Sequence, residues 1–91
     1  MQEVLAKPGY EKLPLSEQEF YELCLDESED TWGRSFVVRQ AHVEWSEIDR
    51  QFMFDDFQSE RFADLQRAKR RYEAWRQALV DKGFSPSDME F

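Results

Sequence analysis

Few side chains in this sequence are of the types that carry out covalent chemistry, and each of them stands alone. Cys24 is the only cysteine and His42 the only histidine. Nucleophilic catalysis needs a Cys or Ser beside a base that a third group orients. The sequence has neither a Gly-x-Ser-x-Gly elbow nor a glycine-rich phosphate loop. We therefore predict that Cys24 is a small buried hydrophobe and that His42, beside Glu44, is a surface or half-buried residue.

The acidic run after residue 25 fails the requirements of a calcium loop. Asp26, Ser28 and Asp30 occupy the alternate positions that open such a loop. However, Thr31 stands where a glycine is required, and Val37 stands where a glutamate is required.

The neighbouring acids Asp55 and Asp56 are the remaining candidates for chemistry. On a strand, adjacent side chains point to opposite faces, so these two carboxylates cannot clamp a metal or share acid and base roles. A single cysteine also excludes an internal disulfide and a multi-cysteine zinc site. The sequence thus predicts no metal, no cofactor and no enzymatic activity. An enzyme with an unfamiliar site, centred on His42 or on Asp55 and Asp56, is the least favoured alternative.

Charge is distributed unevenly along the chain, whose formal net charge is −8. The net charge is −7 over residues 1–30, −2 over residues 31–58 and +1 over residues 59–91. An acidic surface raises the encounter rate with a basic partner and repels nucleic acid. The basic cluster at residues 67–71 is therefore predicted to meet the carboxylates of another protein, or those of the chain's own acidic N-terminal third, more often than the phosphates of a nucleic acid.

The N-terminal part of the chain predicts an arm followed by a helix. Residues 1–14 form the predicted arm, because Pro8 and Gly9 set a turn and Pro14 prevents a helix before it. Ser16 and Glu19 have the form of a capping box, which predicts a helix that ends by about residue 28. Apolar residues follow at helical spacing: Leu15, Phe20, Leu23 and Cys24.

The middle of the chain predicts an antiparallel hairpin. Residues 35–45 are rich in β-favouring types, and residues 51–57 form a second candidate strand. Their apolar faces coincide if the chain reverses between them. The predicted register places Trp45 opposite Phe52 and Val43 opposite Phe54.

The C-terminal part predicts a long amphipathic helix. Its apolar stripe steps by three and four residues: Phe62, Leu65, Ala68, Tyr72, Trp75 and Leu79. Ser59 is the predicted N-cap. Gly83 is predicted to end the helix in a left-handed conformation, with Phe84 folding back on Leu79.

These elements together predict one small α+β domain over residues 15–91, in the order helix, two-stranded antiparallel hairpin, long C-terminal amphipathic helix. Residues 46–49 also have the form of a helix start, so an all-α helical bundle remains the alternative. No apolar run approaches the ~20 residues of a membrane span, and the N-terminus lacks the features of a secretion signal. We expect a cytoplasmic protein that does not bind membranes.

The expected function is that of a small acidic protein-protein interaction module, a regulator or inhibitor of a larger protein with a basic surface. One alternative is a nucleic-acid mimic, whose carboxylates imitate phosphates. Formation of a homodimer would also suit a chain with so small a core. The predicted contact residues are Glu27, Glu29, Asp30, Trp32, Arg67, Arg70 and Arg71.

Overall fold

A five-stranded antiparallel sheet and one helix make up the protein in the computed structural model, which describes residues 1–87. The strands follow the order β4-β3-β2-β1-β5 across the sheet. Along the chain the elements are β1 (Gln2–Ala6), β2 (Glu19–Asp30), β3 (Gly33–Ser46), β4 (Gln51–Phe62), α1 (Leu65–Asp81) and β5 (Ser85–Ser87). Both the predicted two-stranded arrangement and the all-α alternative are therefore wrong.

The predicted N-terminal helix is in fact β2. Tyr21, Leu23 and Leu25 lie on one face of this strand at a spacing of two, and the latter two are buried. A short apolar run satisfies both helical and strand periodicity, so the pattern alone does not decide between them. β1 and β3 pair with β2 on its two sides and satisfy its backbone groups. Ser16, the predicted cap, lies in a single 3-10 turn, Leu15–Glu17.

The segment assigned to an arm supplies β1, which lies between β2 and β5. Val4, Leu5 and Ala6 are buried there. A second 3-10 turn, Tyr10–Lys12, then leads towards β2. The last four positions of the predicted domain, 88–91, lie outside the described residues.

The predicted pairing of β3 with β4 is confirmed, including its register. Trp45 lies opposite Phe52, and Val43 lies opposite Phe54. The register then shifts, because His42 pairs with Asp56 and leaves Asp55 as an extra residue in β4. This β-bulge was absent from the prediction, which assumed a regular strand through residue 57.

The predicted C-terminal helix is confirmed, but it begins later than expected. Its N-cap is Asp64, whose carboxylate accepts a hydrogen bond from the backbone N–H of Gln66 at 3.0 Å. Ser59, the predicted cap, lies in β4. At the other end Gly83 has φ 100°, and the Phe84 N–H donates to the Leu79 carbonyl at 3.0 Å. The predicted glycine stop is thus present.

The main core lies between α1 and one face of the sheet, which we call the helix face. Its buried residues are Leu5, Leu23, Leu25, Val38, Ala68, Tyr72, Leu79 and Phe84. Burial of each large apolar side chain contributes roughly 1.5–3 kcal/mol. Within residues 1–87, no helix has the length and apolar character needed to cross a membrane.

Candidate functional site

Within residues 1–87 no α-helix covers the side of the sheet opposite α1, and we call this side the open face. Strand residues on this face alternate with those that pack beneath α1. By register they are Gln2, Val4 and Ala6 of β1, Phe20, Glu22, Cys24 and Asp26 of β2, Val37, Arg39, Ala41, Val43 and Trp45 of β3, and Phe52, Phe54, Phe57, Ser59 and Arg61 of β4.

One end of the open face is closed by a small aromatic cluster. The Tyr10 ring meets the Phe20 ring edge-on, with centroids 5.1 Å apart. Phe52 lies 5.2 Å from Phe20 and 5.3 Å from Trp45. Phe20 is buried by these contacts together with Val43. The chain that follows β1 therefore supplies its own cover at this end.

The remainder of the open face carries a groove of about 600 Å³. Its lining combines apolar and polar side chains: Gln2, Glu22, Cys24, Asp26, Arg39, Ala41, Phe54, Phe57 and Ser59. Phe54 and Phe57 are 64% and 61% exposed, so most of each ring is in contact with water. Large rings with this much exposure, side by side in a concave surface, are typical of binding sites.

Hydrogen bonds and one ion pair fix the polar wall of the groove. Arg39 Nη1 lies 2.8 Å from Asp26 Oδ2, and Gln2 Nε2 donates to Glu22 Oε1 at 2.7 Å. The Cys24 thiol lies 3.7 Å from Asp26 Oδ2. Partial burial, followed by the charge of Asp26, raises the pKa of Cys24. A raised pKa leaves less of the thiol as the nucleophilic thiolate. The predicted position on the buried face of a helix is wrong, because Cys24 is only partly buried and lies on a strand.

A second group of polar side chains surrounds His42, which lies on the helix face. His42 Nε2 is 2.9 Å from Glu19 Oε2, and His42 Nδ1 is 3.3 Å from Asp55 Oδ2. Donor atoms of His42, Glu44 and Asp55 all lie within 4.8 Å of one another. The His42 side chain is only 13% exposed. Its ring packs against the Tyr21 ring, with centroids 4.8 Å apart.

The ionisation of Glu19 is controlled by these contacts. Burial by itself raises the pKa of Glu19, but hydrogen bonds and charge from His42 and Lys7 outweigh that effect, so the net shift is downward. Lys7 Nζ lies 3.4 Å from the second carboxylate oxygen. Burial, and then the charges of nearby carboxylates, raises the pKa of Tyr21. Glu19 is thus held as an anion beside the imidazole.

Sequence reasoning missed this group because of the bulge. It assumed that Asp55 and Asp56 point to opposite faces of a regular strand. Asp55 is instead the extra residue of β4, and its carboxylate reaches the ring of His42. No glycine or proline at this position signals a bulge in the sequence.

Four of the predicted contact residues lie at or near the turn between β2 and β3. Trp32 is 95% exposed, and its backbone N–H donates to Asp30 Oδ1 at 2.8 Å. Glu27 pairs with Arg34 at 2.6 Å. Glu29 lies opposite the same arginine in the ladder. Two of the three acidic residues predicted to contact a partner, Glu27 and Asp30, are therefore engaged in contacts within the chain.

The other three predicted contact residues lie on exposed positions of α1. Arg71 Nε is 3.2 Å from Glu60 Oε2 of β4. Arg67 and Arg70 make no ion pair or side-chain hydrogen bond within residues 1–87. The structure brings these three arginines together on one element, but no ion pair or hydrogen bond of the described chain joins them to the turn at Trp32.

Comparison with known proteins adds no identification: no protein-family model, curated protein or solved structure matches this chain. The functional argument therefore depends on the surfaces themselves.

Proposed function

We propose that this chain is a non-enzymatic protein-binding module, and that its docking surface is the groove of the open face. The occupant we propose is an apolar segment of another protein, flanked by Lys or Arg residues. The observation that carries this proposal is the pair Phe54 and Phe57, which lie side by side on the uncovered face and are 64% and 61% exposed. Aromatic residues are enriched in the cores of protein interfaces.

Burial of the two phenylalanine rings would contribute to binding, but it would not by itself offset the free-energy cost of association. A phenylalanine ring buries on the order of 150–200 Å² when fully covered. At about 25 cal/mol per Å², the exposed parts of both rings correspond to gross stabilisation on the order of 5 kcal/mol. Association costs about 4–15 kcal/mol in lost freedom. A stable complex therefore needs further contacts along the groove, where Ala41 and Cys24 offer additional apolar surface.

Charge favours a basic partner. The chain has 20 acidic residues and 12 basic ones. Among the described lining residues of the groove, Arg39 is the one cation, and it is paired with Asp26 at 2.8 Å. Glu22 also lines the groove and accepts its hydrogen bond from neutral Gln2. An incoming segment with Lys or Arg beside its apolar residues thus meets a net negative surface, which raises its association rate.

The edge of β4 is a poorer docking site than the face. An edge strand can pair with a strand of another chain, but bulges and charged side chains discourage this. β4 has both, because Asp55 is its extra residue and Asp56 follows immediately. Trp32 is a third exposed aromatic residue, but it lies in a turn, and single exposed hydrophobic residues are common on protein surfaces. The predicted contacts at Trp32 and on α1 would then lie outside the main docking surface.

The proposed mode of action is occupancy without chemistry: the module regulates or inhibits a larger protein by covering part of its surface. The site of action we propose is the reducing cytoplasm, where Cys24 remains a thiol. The nucleic-acid mimic gains no support, because acidic residues lie on both faces of β2, on β3, β4 and α1 and in the turns, and not in one row.

The test is a capture experiment with matched surface variants. The chain is immobilised in a lysate of its source cells, at about 0.15 M and about 1 M salt. One variant carries Phe54→Thr and Phe57→Thr, which remove the rings but keep residues suited to a strand. The control variant carries Trp32→Thr, which removes a more exposed aromatic ring outside the groove. Melting temperatures of all three proteins confirm that each is folded.

The expected result is a protein that binds the chain and the Trp32 variant but is lost with the Phe54 and Phe57 variant. Its bound segment should be apolar with flanking basic residues, and high salt should slow its association more than it speeds its release. Sedimentation of the chain alone tests whether the occupant is a second copy. Loss of capture with the Trp32 variant, or a dimer that covers the groove, would contradict the proposal.

A further inference from the structure

The side chains around His42 have a spacing that suits a metal ion, independently of the groove on the other side of the sheet. His42 Nδ1 and Asp55 Oδ2 are 3.3 Å apart. Bonds of about 2.0–2.1 Å to a tetrahedral Zn²⁺ place neighbouring donor atoms about 3.3–3.4 Å apart. Glu44 completes a set whose donor atoms lie within 4.8 Å of one another. Glu44 is exposed, so its carboxylate can move the remaining distance.

The nature of the donors narrows the class of ion. An imidazole nitrogen suits Zn²⁺ and neighbouring first-row transition ions, whereas Mg²⁺ and Ca²⁺ prefer sets made of oxygen alone. Two carboxylates and one imidazole leave a fourth position for water or another ligand. Asp55 is 53% exposed, which gives an ion access from solvent.

Glu19 supplies the contact that orients the imidazole. Its Oε2 lies 2.9 Å from His42 Nε2, and its Oε1 lies 3.4 Å from Lys7 Nζ. Histidine ligands commonly donate their second ring N–H to a carboxylate, which fixes the tautomer and makes the ligating nitrogen more basic. With the proton on Nε2, the lone pair of His42 Nδ1 faces the carboxylate of Asp55.

The contact between His42 Nδ1 and Asp55 Oδ2 requires a positive charge between these two atoms. A neutral imidazole has one N–H and cannot donate to both Glu19 and Asp55. Two acceptors 3.3 Å apart repel each other unless a cation or a proton lies between them. Three carboxylates, those of Glu19, Glu44 and Asp55, have oxygens near the ring, and Lys7 is the cation paired with this group among residues 1–87. A divalent ion balances this excess of negative charge.

We propose that His42, Glu44 and Asp55 bind a divalent first-row transition-metal ion, with Glu19 as the positioning residue. The rival to a metal is a second proton, which would make His42 an imidazolium that donates to both carboxylates. The two states differ in the signal of Nδ1, because a metal-bound nitrogen carries no proton.

The test uses the full chain without a polyhistidine tag, labelled with ¹⁵N and freed of metal by a chelator. Zn²⁺ is added at about pH 8, because metal binding to an imidazole competes with protons and a higher pH weakens that competition. The ring nitrogens are followed by NMR and the affinity by calorimetry. Because His42 is the only histidine, any imidazole signal belongs to it. Mg²⁺ serves as the control ion, and Cys24→Ser as the control variant, since a thiol is the other soft ligand of the chain.

The expected result is one Zn²⁺ per chain, with a shift of the His42 Nδ1 signal that Mg²⁺ does not produce. His42→Gln and Asp55→Asn should each weaken binding at least about tenfold, and Glu19→Gln by about 10–100-fold. Cys24→Ser should bind as the parent chain does. Melting curves in chelator establish that each variant is folded. An Nδ1 signal unchanged at about 1 mM Zn²⁺, or binding that is lost with Cys24→Ser and kept with His42→Gln, would overturn the proposal.

Discussion

Phe54 and Phe57 lie on the same face of β4 although three positions separate them, because Asp55 is an extra residue between them. In a regular strand, side chains three positions apart point to opposite faces. The bulge therefore places the second ring beside the first on the open face. It also directs the Asp55 carboxylate to His42, at 3.3 Å from Nδ1.

Deletion of Asp55 should remove the bulge and leave the rest of the fold in place. The pairs on its two sides, His42 with Asp56 and Val43 with Phe54, would become neighbours in a regular ladder. The rings of Phe54 and Phe57 would keep their face. A flat edge strand is a template for pairing with other chains, so we expect this variant to self-associate more than the parent in sedimentation velocity. A monomer at all concentrations would show that the bulge does not protect the edge.

The hydroxyl of Tyr72 should stabilise the contact between α1 and β1. It donates to Glu3 Oε1 at 3.0 Å, and Arg76 Nε donates to the same oxygen at 2.7 Å. Burial, and then the bond to Glu3, raises the pKa of Tyr72, so the hydroxyl stays protonated. Tyr72→Phe should lower the free energy of unfolding by about 1.5 kcal/mol, the lower end for a bond to a charged group. Urea unfolding measures this loss.

The matched control for that variant is Tyr10→Phe. The Tyr10 hydroxyl makes no hydrogen bond within residues 1–87, while its ring packs on Phe20. The change should stay within about 0.5 kcal/mol. An equal loss in both variants would mean that the bond to Glu3 contributes nothing specific.

The end of α1 should depend on glycine at position 83. Gly83 has φ 100°, and an added Cβ would meet nothing within 4 Å. Any cost of Gly83→Ala is therefore a backbone cost, which we expect to be about 1–2 kcal/mol. Lys82→Ala, one position earlier in a right-handed conformation, should change the free energy of unfolding by less than about 0.5 kcal/mol. Thermal unfolding of the two variants compares them directly.

Cys24 should react slowly with alkylating reagents in the folded chain. Burial and the neighbouring charge of Asp26 raise the pKa of Cys24, so less thiolate is present at a given pH than for a free cysteine. At about pH 8.5, where a free thiol is half ionised, the folded chain should react more slowly than the unfolded chain. Asp26→Asn should accelerate the reaction, because it removes the negative charge and frees Arg39. Equal rates for parent and variant would contradict this assignment.

Part of the fold followed from the sequence, because some patterns permit only one structure. The long stripe of α1 and the stop at Gly83 are specific to a helix. The apolar faces of residues 35–45 and 51–57 match in only one register of a hairpin, the one that places Trp45 opposite Phe52. Residues 19–30 carry no such signal: Phe20 and Leu23 suit a helix, while Leu23 and Leu25 suit a strand. Pairing with β1 and β3 decides the outcome, and those contacts are distant in sequence.

The candidate sites were less predictable than the fold. Trp32, one of the predicted contact residues, is 95% exposed, but the exposure of a single ring does not by itself identify a binding surface. Phe57 and Asp55 gain their neighbours only through the bulge, and one extra residue in a strand reverses the face of every residue beyond it. The types of the residues around Asp55 do not indicate that the register shifts there.

Site-specific photo-crosslinking tests the central claim most directly. A photoreactive phenylalanine analogue replaces Phe57 in one chain and Trp32 in another, and both are irradiated in the source cells. We predict a covalent adduct with another protein from position 57 and none from position 32. An adduct from position 32 alone would place the partner at the turn between β2 and β3, and would contradict a docking surface on the open face.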